Sequence, residues 1–561
     1  MKNRERMMRY GVILGILYIG LAIILVPLRV SAQGNKPKEI KPVNPERFAH
    51  YIDYFNSVDN EPIQNAINNE NCWNWMLENI PWFECPNKEI EQIYYYRWWV
   101  FRKHIKQTPK GYVITEFLPE VGHSAKYNTI ACAAGLHIDE GRWLRNKDYI
   151  SDYIQFWFSN EGDPRQYSSW FVDAIYRYCK TIGDFSLCET LFDNFIESYK
   201  AWENSNKHRS DLFWSYDDRD GGEHSISGSG LRPTLNSYLY ADAIAISKLA
   251  EKFNKPAISR EFKEKAEQLK NLVQSKLWDE EYQFFNTIPL ASKQDTVKSF
   301  DHSKIPESRR VRELYGYFPW KFLLPEAGYE KAWLEIKNED GFLAPYGPTT
   351  AEQRHPLFMK NRYKRCQWDG SSWPFATSLT IGAMINLIRH YDQDIIEKQD
   401  FLNVIKTYTQ SQYRTLPYGE KIPWIGESLH PSSGIWLSRA IALEMDIPSV
   451  KQRPTVKDKN YAVLRGKDYN HSSYCDLIIS GLVGLEMGDD GFITVDPLIP
   501  NNTWAWFRLD GIEYAGKRIT IIYDKTGKKY NQAAGLSVFV DGKRVGYSKK
   551  IKRIRLDPTR L

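Results

Sequence analysis

The sequence predicts a mainly α-helical body over residues 48–448, followed by a β-sandwich over 449–561. Two textures carry this reading. Through the body, apolar residues recur at three- and four-residue steps, the spacing of one buried helix face. Beyond Pro448, short β-branched and aromatic runs alternate with turn residues. With 42% hydrophobic residues among 561, the composition is that of a large folded chain and excludes a disordered or collagen-like one.

The first element is a targeting segment. Residues 1–32 open with Lys2, Arg4, Arg6 and Arg9, continue in an apolar run from Gly11 to Leu28, and end on Val30-Ser31-Ala32. Small residues there fit a signal-peptidase cut after Ala32. The rival is an uncleaved anchor, since a run of this length lies at the short end of what spans a bilayer; Pro27 and the Val-x-Ala site favour cleavage. The mature protein is then expected in the periplasm or outside the cell, free of the membrane. This segment contributes a net four of the six formal positive charges, so the remainder is nearly neutral. Nothing in that balance calls for nucleic acid, whose binding rests on many phosphate contacts.

Residues 33–47, polar and Pro-containing, read as a linker. In the body, Leu235, Tyr238, Leu239, Leu249 and Phe253 mark one helix, and Phe262, Ala266, Leu269, Val273 and Leu277 a second. Leu379, Met384, Leu387 and Ile388 mark a third within 378–391. Long loops rich in Gly, Asp, Trp and Pro, such as 214–233 and 341–374, separate the helices; loops of that length in a compact domain are usually functional. In the tail, Asp541-Gly542 between Val-Phe-Val and Lys-Arg-Val is a type I′ hairpin signal. Lys549 to Arg555, alternating charge with Ile, reads as a solvated edge strand. The seven cysteines make no disulfide scaffold, although Cys72 with Cys85 is one candidate local bridge.

Three loops concentrate carboxylates, aromatic residues and glycines: Trp214 to Pro233, containing Asp217, Asp218, Asp220 and Glu223; Arg365 to Pro374; and Pro423 to Gly434, containing Glu427. All three have the form of a loop followed by a helix. Such acids suit acetal hydrolysis, in which one protonated carboxyl group protonates the leaving oxygen and an ionised one activates water or attacks carbon. Nearby tryptophans suit stacking on a sugar ring. Each acid alone is also an ordinary helix N-cap; the three segments together favour the chemical reading.

These segments resemble the (α/α)6-barrel, or six-hairpin, glycoside hydrolases related to trehalases, to family 63 glucosidases and to mannosylglycerate hydrolases. Trp368-Asp369-Gly370-Ser371-Ser372-Trp373-Pro374 is similar to their Trp-Asp-Gly/Ala-Pro-x-Trp-Pro motif of the sugar subsite, with Ser371 where proline is common. Glu223-His224-Ser225 ahead of Thr234-Leu235-Asn236-Ser237 resembles the general-acid segment, with Glu223 in place of an aspartate and Gly222 in place of a tryptophan; Asp220 is the rival acid. Glu427 to Gly434 resembles the segment of the general base. The resemblance implies an (α/α)6 toroid with a central pocket ahead of the β-sandwich. It also implies an exo-acting, inverting glycosidase using Glu223 as acid and Glu427 as base, with Trp368, Asp369 and Trp373 at the sugar.

Further substrate-binding candidates are Glu116 and Asn128, in a polar cluster with His123 ahead of Thr129, and Arg232, which can bind a hydroxyl or carboxylate or cap its loop. His137 reads as a satisfied helical histidine. No HExxH spacing and no phosphate-binding glycine loop is present, so neither a metal nor another cofactor is expected; the acidic run Asp217, Asp218, Asp220 is the one stretch suited to calcium. The expected partner is an oligosaccharide or polysaccharide. Two other functions fit the same outline: a polysaccharide lyase of the toroid-and-sandwich type, and a glycan-binding protein without turnover.

Overall fold

A computed structural model describes residues 39–159, 161–360, 368–416, 418–438 and 466–557. The expected export segment lies outside these residues, as does Cys366. Among the described residues no helix is long and apolar enough to cross a membrane.

The body is a closed ring of helical pairs. Its inner helices are α1 (Ala134–Gly141), α2 (Phe171–Ile182), α3 (Pro233–Lys252), α4 (Phe318–Lys321) and α5 (Pro374–His390), completed by a π-helix, Leu477–Val483. The outer helices are Lys88–Lys103, Asp148–Phe158, Phe192–Asn206, Pro256–Lys276, the 3-10 helix Glu330–Lys337 and Lys398–Ser411. The periodic segments of the sequence fall on α3, Pro256–Lys276 and α5. Pro233 and Pro374 open α3 and α5 at the first turn, where the missing N–H costs nothing. Their inner position explains why α3 and α5 are buried on nearly all sides, whereas Pro256–Lys276 buries only one stripe.

Polar contacts step round the ring. Arg177 of α2 grips Asp139 of α1 through both carboxylate oxygens at 3.0 Å. The Asp173 N–H at the start of α2 donates to Asp242 of α3. Tyr238 of α3 stacks over Phe318 of α4, and Asn386 of α5 donates to the carbonyls of Trp320 and Lys321. Ser378 of α5 donates to the Ser473 carbonyl ahead of the π-helix. Closure comes from Glu140 of α1, whose carboxylate accepts the N–H groups of Tyr474, Cys475 and Asp476 at 2.8–3.1 Å. His137, one turn earlier, has its pKa pushed down to about 4 by burial; the neutral ring donates to the Asn470 carbonyl and accepts from Tyr153. The ring therefore takes in residues 466–484, which the change of texture near Pro448 assigns to the sandwich.

The strand-rich region begins at β2 (Leu485–Met487) and continues through β3 (Ile493–Val495), β4 (Trp506–Tyr514), β5 (Lys517–Asp524), β6 (Gly535–Val540), β7 (Lys543–Ser548) and β8 (Ile554–Leu556). A three-stranded antiparallel sheet has the order β2-β3-β8. The larger sheet, also antiparallel, is led by β1 (Trp82–Glu84), which pairs with β4, and continues β5-β6-β7. Asp541 and Gly542, at φ of 47° and 79°, make the hairpin expected between β6 and β7. Residues 39–47 are no free linker. Ile40 packs on Ile522 and Phe539, its N–H donates to the Gly542 carbonyl, and the Val43 N–H donates to Asp510 at 2.6 Å. Two apolar side chains and two amides with sheet partners outweigh the polar composition around them.

Cys72 and Cys85 are both free and buried, the latter donating to the Asn87 carbonyl, so the candidate local bridge is not made. A different pair is close. The sulfurs of Cys179 in α2 and Cys188 in the following turn lie 2.9 Å apart in the interior. The hydrogen bond with Cys179 and burial push the Cys188 thiol well up, so oxidation should be slow near neutrality and quicken in alkali. Incubation with oxidised glutathione at about pH 9 is expected to link these two cysteines. Thiol titration in denaturant should then count two fewer groups, and peptide mapping should find the crosslink in the parent chain but not in Cys179→Ser.

Candidate active site

The loops entering the N-termini of the inner helices converge at one end of the ring. There a cavity of about 210 Å³ is lined from nearly all of those loops. Cys132 precedes α1 and Tyr167 precedes α2; Asp218, Gly221 and Glu223 precede α3; Trp368 and Trp373 precede α5; Glu427, Tyr469 and His471 precede the π-helix. Glu116, Phe117 and His123 complete the wall from the loop ahead of α1.

Aromatic rings make a continuous run along much of this wall, backed at one end by Tyr315. Tyr315 stacks on Trp368 at 5.4 Å, and Trp368 on Trp373 at 4.3 Å and 15°. Trp373 meets His471 edge-on at 5.7 Å, His471 meets Tyr469 at 3.9 Å, and Tyr469 meets Phe117 at 4.5 Å. His123 closes on Phe117. Such a wall is stiff, because each ring is held by its neighbours.

Glu223 is partly exposed to the cavity, and Glu427, at 1% exposure, reaches it from a different group of loops. Burial pushes the Glu223 pKa up to about 7; the negative charges of Glu427 and Asp218 add to the rise, while hydrogen bonding from its own backbone and from the Trp368 indole N–H, 3.0 Å from Oε2, opposes it. The loop around Glu427 is zipped to the tryptophan loop by a two-way backbone bridge between Ser372 and Leu429, at 2.9 and 3.0 Å. Gly222 answers a steric demand: a Cβ there would overlap the Tyr315 hydroxyl.

The sequence-derived candidates divide into two groups. Glu223, Glu427, Trp368, Trp373 and Glu116 share the cavity wall. Asp220, Arg232, Asp369 and Asn128 lie behind it. Arg232 donates from Nε to Asp220 at 2.8 Å and from a terminal nitrogen to Ser225, Ser227 and the Gly228 carbonyl, and Thr234 donates to Asp220 as well. Glu313 accepts from both the N–H and the hydroxyl of Ser227. This buried set fixes the loop carrying Glu223. Asp369 is buried under the tryptophan loop, and the Asn128 side chain bonds the backbone at Phe117, Pro119 and Val121, shaping the loop that carries His123. Asp217 accepts from Ser229 and Asp220 holds Arg232, so the acidic run does not converge as a calcium site would require.

Tyr469 and His471 are among the wall residues that escaped the sequence reading. Tyr469 donates its hydroxyl to Glu116. His471 is buried, and among the described residues neither ring nitrogen has a hydrogen-bond partner; burial holds its pKa well below the usual histidine range. Its neutral ring therefore offers one donor and one acceptor at the cavity. The only signal was a run of small polar residues between apolar ones, Asn470 to Ser473, in a stretch that texture assigned to the sandwich.

A helical ring whose loops gather acids and aromatic rings into one cavity has the architecture of the toroidal glycoside hydrolases. The chain belongs to the mannosylglycerate hydrolase MGH1-like glycoside hydrolase family, whose model matches residues 126–472, and residues 485–546 match the C-terminal domain of glycosyl hydrolase family 65. Among solved structures, one named as a sialidase is 38% identical, with a TM-score of 0.82 over 92% of this chain. The match covers 45% of that protein, so the chain spans less than half its length. A family 63 mannosylglycerate hydrolase from Thermus thermophilus, solved with glucose, is 11% identical over 62% of this chain and 98% of its own, at a TM-score of 0.44. An α-L-rhamnosidase from Dictyoglumus thermophilum is 12% identical over 85% of this chain and 49% of its own, at 0.48.

The surroundings of Glu223 give a signed prediction. Its carboxyl band in infrared difference spectra against Glu223→Gln is expected to titrate near pH 7. Asp218→Asn removes a neighbouring negative charge and should move the midpoint down, whereas Trp368→Phe removes a hydrogen bond to the ionised form and should move it up. Shifts of the opposite sign would show that the band belongs to another group.

Proposed function

We propose that the protein hydrolyses the O-glycosidic bond of a neutral sugar at a chain end, with inversion, Glu223 serving as general acid and Glu427 as general base. The observation that supports this most is that the two glutamates share one small cavity in which Glu223 keeps its proton to about pH 7. A protonated carboxyl group is what the leaving oxygen needs, and an ionised one opposite it can take a proton from water. The small volume of the cavity favours a single terminal unit over a chain passing through. Export, with a cut after Ala32, belongs to the same reading and rests on the charged start and apolar run of residues 1–32.

The wall supports a neutral sugar. It holds Glu116, Asp218, Glu223 and Glu427 and, among the described lining residues, no lysine or arginine. A uronate or sialic acid carboxylate would enter an uncompensated negative field. Within this reading, His471 and Glu116 are the polar groups suited to sugar hydroxyls, and the aromatic edges exclude water.

The test begins with a screen of α-linked gluco-, manno- and rhamno-configured substrates. On the sugar it identifies, Glu427→Gln should bind normally and lose roughly 10²–10⁴-fold in kcat. Glu223→Gln should be nearly inert on the natural glycoside yet keep far more activity on the glycosyl fluoride, whose leaving group needs little protonation. Selective rescue in Asp220→Asn in place of Glu223→Gln would move the acid role to Asp220. Proton NMR of the first product anomer should show inversion; retention would exclude the acid–base pair as assigned.

A further inference from the structure

Beside the small cavity lies a second, wider one of about 840 Å³, and the two share three lining residues, His123, Tyr167 and Asp218. The junction is on the Glu223 side: Asp218 acts on the Glu223 charge state, and Glu223 in turn raises the Tyr167 hydroxyl pKa after burial, its largest cause. Neither glutamate lines the wider wall, but Trp214, Ser215, Tyr216, Asp218 and Arg219 of that wall belong to the loop that carries Glu223, and no residue of the Glu427 loop lies there. With the roles proposed above, the leaving group departs on the acid's side, which is the side that opens.

The walls of the wider cleft suit sugar rings. Tyr216 is 54% exposed there, an unusual state for so large a side chain, and it is not loose: its ring stands edge-on against Trp214 at 4.4 Å. The Trp214 indole N–H donates to the Leu290 carbonyl, which fixes the ring supporting the platform. Trp202 lines the same cleft. Its cations are already engaged within the protein: Arg165 with Ser205, Arg219 with the Gln166 carbonyl and the Tyr167 face, and Lys293 with the carbonyls of Asn204 and Ser205. Asp163 and Asp218 in the same lining offset most of their charge, so the cleft needs little charge on its occupant.

We propose that the leaving group is itself a neutral oligosaccharide of two or more sugar units, held in this cleft with Tyr216, braced by Trp214, as its stacking platform. The proposal rests on the hydrolase reading and adds which side of the bond carries the length. Volume supports the asymmetry: 840 Å³ lies within the about 300–1,000 Å³ of sites that enclose ligands larger than one ring, and 210 Å³ lies below it.

The test uses the full chain and, for each of the gluco, manno and rhamno configurations, the glycosyl fluoride and the α-linked di-, tri- and tetrasaccharide. For the active configuration, kcat/KM is expected to climb by about tenfold from disaccharide to tri- or tetrasaccharide. Tyr216→Ala should lower it about three- to tenfold more on the trisaccharide than on the fluoride, the worth of one aromatic stack. Tyr216→Trp should retain most of the chain-length gain. A rate independent of chain length, or equal losses in Tyr216→Ala on fluoride and trisaccharide, would overturn the proposal. If wild type cleaves none of these substrates, the hydrolase reading fails by itself. The cleft is then judged by saturation-transfer NMR with the same tetrasaccharides. Sugar-proton signals that appear with wild type and vanish in Tyr216→Ala sustain it; signals that persist in the variant, or never appear, refute it.

Discussion

One buried carboxylate closes the ring. Glu140 collects the free N–H groups at the start of the last inner helix, three amides on one side chain, and so joins the end of the helical body to its first inner helix. Burial raises its pKa, an effect that the Arg97 charge and the amides oppose. The stretch leading into that helix is pinned from every side. Arg97 donates to the Ser472 carbonyl, Ser378 bonds residue 473, His137 holds the Asn470 carbonyl, and the Asn470 N–H donates to the Glu116 carbonyl. Tyr469 and His471 thus stand on a rigid seam, and the aromatic wall of the cavity is anchored to the same interactions that close the fold.

The loop carrying Glu223 is held with equally few groups and different chemistry. Arg232, fully enclosed, binds one carboxylate, two hydroxyls and a carbonyl, and each partner belongs to the segment that carries Glu223. His224, next to Glu223, adopts a left-handed backbone at φ 62°, a conformation that costs a non-glycine residue energy and needs such support. A buried pair of this type is strongly destabilising to break, because the surviving charge is left uncompensated. Residues behind the cavity wall therefore determine where the Glu223 carboxyl group sits.

Much of this was legible. Periodicity revealed α3, Pro256–Lys276 and α5, because long helices with apolar faces are the strongest local signal. Loops dense in Gly, Trp and acid revealed Glu223, Glu427, Trp368 and Trp373, all on the cavity wall. Composition could not tell Asp218, which faces the cavity, from Asp220 two residues on, which faces Arg232; only the tertiary position of a guanidinium separates them. The last inner helix was hidden for another reason. Leu-Ile-Ile-Ser-Gly-Leu-Val is apolar almost throughout, and a run this short reads equally as a buried strand. With that helix unseen, the seam before it and its two ring-bearing residues were unseen as well. The strap at 39–47 was concealed by prolines and lysines around the two apolar residues that dock.

Glu116, Asp218 and Glu427 stand on the wall beside Glu223, which burial holds protonated toward neutral pH, so the cavity has an electrostatic character as well as a shape. Enclosed by rings and away from bulk ions, such a field is weakly screened by salt. A sugar mimic whose ring carries a protonated nitrogen would gain from each ionised acid of the wall, while an otherwise identical carboxylated ring would be repelled by them. The field also suits the positive charge that develops on an acetal carbon as its bond to the leaving oxygen stretches. The wall thus ranks inhibitors by charge before it ranks them by stereochemistry.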